Sequence, residues 1–198
     1  MVKILSIQLY KAPAGSGQAT QLCSVNDLSN FSFYQKPAIG EFLTFLSTTV
    51  ASRTPTGSRQ SVEKDAYTAH VYHHSSGIIG IIVSDAEYPP RVAFSLLSKI
   101  LEEFSLKFSK TDIDGGKLNY PELNDYIVKY QDPKQADTIL KVQQELDETK
   151  VILHKTIEQV LERGEKLDDL VERSNNLSNT SKMFYKSAKK QNSCCVIA

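Results

Sequence analysis

The sequence predicts an α+β unit followed by a long helical arm, and three observations predict it. Composition breaks near Pro133. All seven prolines lie at or before that residue, eight of the nine glycines precede it, and of the Phe and Tyr residues only Phe184 and Tyr185 follow. Before the break, strand and helix patterns run in the order β-β-α-β-β-β-α-α, which implies a mostly antiparallel sheet with helices on its faces. After it, apolar residues recur at alternating steps of three and four. A compact core needs aromatics and turns, and a single long helix needs neither, so the boundary falls at 131 to 138.

The elements follow in order. Val2 to Tyr10 alternates, with Leu5, Ile7 and Leu9 on one face, as in a half-buried strand. Ala12 to Gly17 is a Pro, Gly and Ser loop, and Thr20 to Val25 is a second strand. Ala38 to Ser52 is a helix with Ile39, Leu43, Leu46 and Val50 on its stripe. Arg53 to Gly57 turns. Ser61 to His74 holds two short strands, and Gly77 to Ser84 is a central strand apolar on both faces. After Pro89 and Pro90 a helix runs to Phe108, with Leu97, Leu101, Phe104 and Phe108 on its stripe. Asp112 to Asn119 is a loop, and Tyr120 to Tyr130 is a third helix.

In the arm the spacing passes through Ile139, Val142, Leu146, Thr149, Leu153, Thr156, Val160 and Arg163. It continues through Leu167, Leu170, Ser174, Leu177, Ser181, Phe184, Ala188 and Gln191. A 3.5-residue repeat of this length is a coiled-coil seam, roughly 80 Å long as one helix. The Thr and Ser positions bury little area, and Gly164 costs roughly 1 kcal/mol in a helix interior. The arm alone is therefore expected to be weakly helical and to fold on partners. Arg163 admits two readings. It is either a buried register-setting residue met by carbonyl acceptors on facing helices, or a side chain that snorkels from the seam edge.

Val160-Leu161-Glu162-Arg163-Gly164-Glu165-Lys166-Leu167-Asp168-Asp169-Leu170 resembles the centre of a synaptobrevin-type R-SNARE motif. The first 130 residues look like a longin domain, and the whole pattern resembles the prenylated longin-type R-SNAREs. The resemblance implies a profilin-like, five-stranded, mainly antiparallel sheet sandwiched by helices, followed by an extended SNARE coiled-coil arm. The implied division is a longin domain at 1–131, a linker at 132–138, the motif at 139–191 and a lipidated tail at 192–198. It implies zippering with three Q-SNARE helices into a bundle that drives vesicle fusion, with Arg163 as the ionic layer facing three glutamines. Ile139, Val142, Leu146, Leu153, Val160, Leu167, Leu170, Leu177, Phe184 and Ala188 become the hydrophobic layers. Gln191 departs from the family by ending the seam on a polar residue.

The last residues, Cys195-Val196-Ile197-Ala198, fit a prenylation box, and Cys194 offers a neighbouring thiol for palmitoyl or a second prenyl. One lipid chain gives only marginal attachment. The tail adds Arg173, Lys182, Lys186, Lys189 and Lys190, with no acid after Glu172. A lipid-anchored protein with a cytoplasmic pool, cycling to the cytoplasmic face of endomembranes (Golgi, ER, endosome or vacuole), is the expectation, with no cofactor beyond these covalent lipids.

On the first helix, Phe42 and Phe45 lie roughly 70° and 130° off the stripe. Either they fill the edge of the core, or they form a groove that holds the folded-back arm and shelters the lipid in a closed form.

Other functions are disfavoured. A net charge of zero argues against a nucleic-acid binder. The start Met1-Val2-Lys3 shows neither signal peptide nor myristoylation glycine, and no apolar run approaches a membrane span. His70, His73 and His74 split between strand faces, Asp112 to Gly115 lacks a calcium ladder, Gly15 to Gly17 is too short for a phosphate loop, and Cys23 has no base. No nucleophile pair supports an enzyme or a small-molecule substrate. The competing reading is a lipidated coiled-coil tether or adaptor that does not drive fusion.

Overall fold

A computed structural model describes residues 3–15, 17–133 and 152–193. The strands are β1 (Ile4–Lys11), β2 (Thr20–Asn26), β3 (Arg59–Lys64), β4 (Tyr67–His73), β5 (Ile78–Asp85) and β6 (Ile152–Thr156). They form one sheet in the order β2-β1-β5-β4-β3-β6. All pairings are antiparallel except β3 with β6, which is parallel. The helices are α1 (Lys36–Ser52), α2 (Pro90–Lys107), α3 (Lys110–Asp114), α4 (Glu122–Lys129), α5 (Ile157–Val160), α6 (Leu167–Arg173) and α7 (Asn179–Ser193).

The sheet separates two cores. On one face, Ile7, Leu9, Ile78 and Ile82 meet Leu97, Leu101 and Phe104 of α2 and Leu123 and Ile127 of α4. On the other, Leu5, Val71, Ile79 and Ile81 meet Ile39, Leu43, Leu46 and Val50 of α1. The unbroken apolar run of β5 serves both cores. Its Gly80 lets α2 approach closely: a Cβ there would stand 2.8 Å from Leu97 Cδ2. The head closes where Gln131 pairs with the start of β1. Ile4 N–H donates to its Oε1 at 2.9 Å, and its Nε2 donates to Ile4 C=O at 2.8 Å.

Several expectations change. β1 is buried on both faces rather than half-buried, because α1 covers its polar side. Ser6, Gln8 and Tyr10 are satisfied there by one another: Gln8 Nε2 donates to Ser6 Oγ at 2.8 Å, and Tyr10 OH to Gln8 Oε1 at 2.5 Å. A register shift between Ile4 and Ser6 sends Leu5 to the α1 side, away from Ile7 and Leu9. The expected loop at Asp112 contains α3, opened by a reciprocal Ser109–Asp112 capping box.

The largest correction concerns the arm. In place of one extended helix, its described part is β6 followed by three helices, and the sheet gains a sixth strand. The reason is geometric. A straight helix would lay its apolar residues along a line far longer than α1, whose 17 residues span about 25 Å. Breaking into short segments lets the arm bury Ile157, Leu161, Leu167, Val171 and Leu177 in the α1 core. Helices of four and seven residues have too few hydrogen bonds to persist alone, so this packing holds them.

His70 on β4 is buried, with Nδ1 2.9 Å from Ser61 Oγ and its ring edge-on to Phe94. Burial first, and the charge of His154 second, pull its pKa from 6.5 down to about 4. The folded chain therefore refuses a proton that the unfolded chain accepts between those values. Stability should be insensitive to this group above pH 6.5 and fall by on the order of 3 kcal/mol as pH drops towards 4. Urea unfolding across that range should show the slope in the wild type and its loss in His70→Gln.

Candidate functional site

The outer face of α1 and the free edge of β3 form one continuous surface, and the arm lies across it. An edge strand carries unpaired backbone groups. Along β3 they are paired by β6, in the register Arg59 to Ile152 through Glu63 to Thr156. Ile152 packs on the α2-side core, while Leu153 remains 44% exposed. At Thr156 a capping box with Gln159 ends the strand and starts α5. Ile157 and Leu161 then enter the α1-side core.

Between α5 and α6 the chain turns at Arg163 and Gly164. Gly164 has φ +87°, a left-handed conformation that glycine adopts without strain. Arg163 is exposed in this turn. Glu165 fixes the corner, accepting from Arg53, just past the end of α1, at 2.8 Å and from the N–H of Glu162 at 3.1 Å.

The α6–α7 hairpin is braced by charge. Asp168 accepts from Tyr185 OH at 2.8 Å and pairs with Lys189, while Glu172 pairs with Lys186 and its carbonyl accepts from Lys182 at 2.9 Å. On this helix pair, Leu167 and Val171 are buried and Leu170 is half-buried. Hydrogen bonds from the Lys189 and Tyr185 side chains hold the Asp168 carboxyl below its ordinary range. The Tyr185 hydroxyl is pushed above its own, by burial first and then by the bond to Asp168.

Two contacts pin α7 to α1. The Tyr185 ring stacks on Phe42 with centroids 5.2 Å apart, and Phe45 lies beside Phe42 at 6.3 Å. Glu41 acts as a cap supplied from another element. Its Oε2 accepts from Ser178 N–H at 3.0 Å and from Ser181 Oγ at 2.6 Å. Hydrogen bonds from Ser181 and then Ser178 lower the Glu41 pKa.

The seam residues do not share one face here. Leu167, Leu177 and Ser181 are buried against the head, whereas Val160, Leu170, Phe184 and Ala188 are half-buried and Leu153 and Arg163 face solvent. Ile139, Val142 and Leu146 lie outside the described residues, as do Cys194 and Cys195. Docking also uses residues off the seam. Ile152, Ile157, Leu161 and Val171 were invisible to a 3-4 reading, although an apolar residue off the stripe of a charged arm is a signal. Glu41 and Arg53 carried none, since surface charges on a helix are commonplace.

A groove of about 1040 Å³ runs beside the docked arm, and Thr44, Thr48, Arg53, Arg173 and Asn175 are among its walls. Phe45 and Leu170 line it as well, so its wall mixes polar and apolar groups. Among the described residues no helix is long and apolar enough to cross a membrane, and no cluster of metal-binding side chains occurs.

Known proteins match both parts. A family model described as a regulated-SNARE-like (longin) domain covers residues 28–127, and one described as synaptobrevin covers 138–196. The chain is 63% identical over 179 residues to the synaptobrevin homolog ykt6 of Schizosaccharomyces pombe, across 89% of this chain and 91% of that protein. It is 53% identical over 201 residues to the synaptobrevin homolog YKT6 of Saccharomyces cerevisiae, across 99% and 100%. The homolog of Candida glabrata is 50% identical over 204 residues, across 99% and 100%.

The Glu41 cap makes docking sensitive to acid. A carboxylate with a lowered pKa stabilises the docked state above its ordinary range, and that contribution is lost as pH falls through the lowered value. Glu41→Gln removes the charge at any pH. It should open the Ser178 region about tenfold more often, as expected for loss of charge-assisted hydrogen bonds. Hydrogen exchange at Ser178 to Lys182 reads the change directly.

Proposed function

The chain belongs to the longin-type R-SNARE family, non-enzymatic proteins of membrane fusion, and from that premise we propose a switch between two exclusive uses of its arm. In the closed state the arm lies on the head. In the open state residues 139–191 straighten and zip with three Q-SNARE helices. Leu167 and Leu177 carry this reading. They are seam layers of the zipper and are buried against the head in the docked arm, so they serve one role at a time.

Arg163 then has two environments. It sits in water in the closed state, and it sets register by facing acceptors on three partner helices in the zipper. Gly164 makes the closed-state turn possible and weakens the helix at the same point. Phe42 and Phe45 form the seat for the arm. A prenyl group on Cys195 and a second lipid on Cys194 attach the protein to the cytoplasmic face of endomembranes, and the closed state supports a cytoplasmic pool. In the closed state the surface around Phe42 and Phe45 is also the place expected to shelter the lipid.

Two measurements test this reading. Phe42→Glu places a charge against Tyr185 and removes an aromatic stack. It should shift the closed-to-open ratio by roughly 30-fold or more and accelerate assembly with soluble Q-helices, read by gain of helicity. Unchanged assembly in a folded variant overturns the exclusive-use model. Arg163→Leu should leave closure intact while permitting assembly with mismatched helices. Equal partner selectivity in both proteins argues against the register role.

A further inference from the structure

We propose that the turn carrying Phe33 and Tyr34 is a second membrane contact, inserting both rings into the interface of a bilayer and orienting the head on it. This goes beyond the switch above, because it concerns a turn of the head that leads into α1 and not the arm or its seat.

Phe33 is 81% and Tyr34 is 88% exposed, and among the described residues the next most exposed aromatic is Tyr67 at 37%. Their rings meet edge to face at 5.9 Å. The turn that presents them is tightly bonded. Gln35 N–H donates to Ser32 C=O at 2.9 Å, and Gln35 Oε1 accepts from Ser32 Oγ at 2.9 Å and from Ser32 N–H at 3.2 Å. Behind it, Leu28 and Phe31 pack on the α1-side core, and Lys3 Nζ bonds Asn30 Oδ1 at 2.9 Å. The turn thus packs Phe31 partly against the core while holding Phe33 and Tyr34 in water.

Asn26 lies opposite Ser6 and Tyr67 lies opposite Asp85. The turn after β2 and the β3–β4 turn therefore occupy the same end of the sheet. The middle of α7 lies near that end too. Tyr185 and Lys189 reach Asp168, and Tyr185 lies close enough to Asp65 of the β3–β4 turn to feel its charge. In sequence, Cys194 and Cys195 follow α7 immediately. While the arm is still docked, a bilayer that takes up the tail is thus presented to the end of the head where the aromatic pair projects, so the contact belongs to the closed protein as it meets a membrane.

Two side chains cover too little area for a stable protein interface, which needs about 800 Å² on each side. Aromatic rings beside a cation suit the boundary between headgroups and acyl chains, and Lys36 follows two residues on.

The chain contains no Trp, so Tyr34→Trp makes the full-length protein report on this turn alone. The variant is coupled through its C-terminal cysteines to a maleimide lipid in vesicles of phosphatidylcholine and phosphatidylserine. The supplied tether makes the result independent of whether Cys194 and Cys195 carry natural lipids. The expected result is a blue-shifted indole quenched by lipids brominated near the headgroup, with Leu106→Trp, 89% exposed on α2, remaining in water. Without the tether, Phe33→Ser with Tyr34→Ser should weaken vesicle binding about tenfold. An unshifted, unquenched indole on tethered vesicles overturns the proposal. So does a shift produced by soluble Q-helices in the absence of lipid, which assigns the pair to a protein surface.

Discussion

A leucine can be buried only once. In the proposed switch the head and the zipper compete for the same apolar side chains of the arm. Leu167 and Leu177 sit in the α1-side core when the arm is docked, and the zipper proposed above would require them in its own seam. The coupling between closure and assembly therefore needs no long-range signal. It follows from shared surface, and its strength is the difference between two burials.

The docked arm gains more than apolar contact. Its strand completes the β3 edge, its turn is held by Arg53 and Glu165, and its last helix is capped by Glu41. Each is a polar interaction near the surface and modest alone. Together they define one path over α1, because each is satisfied only when the segment before it is in register. The apolar residues supply the drive and the polar ones select the route. Ser181 shows the division. It is fully buried, and the burial is tolerable because its hydroxyl donates to Glu41.

In the proposed switch, Gly164 and Arg163 mark where one sequence would serve two backbones. A left-handed residue lets the chain fold back between α5 and α6, and a glycine supplies it without the strain that a side chain brings. The same glycine weakens a continuous helix beside the residue proposed to set its register. A stronger helix former there would favour the straight arm at the expense of the turn.

Much of the head is legible from periodicity. The α1 stripe, the two-faced β5 and the start of α2 at paired prolines follow from local patterns. The seam and Arg163 also stand out, because a 3.5-residue repeat needs no partner to be seen. Periodicity reports which residues share a face, but it does not report which surface meets that face. β1 reads as half-buried until α1 is placed over Ser6 and Gln8. Residues 152–156 read as seam until the free edge of β3 offers their backbone a partner. Glu41 reads as an ordinary surface acid until Ser178 and Ser181 arrive. These outcomes rest on contacts between residues far apart in the chain, and only the tertiary structure decides them, because burial and hydrogen bonding depend on what is adjacent in space.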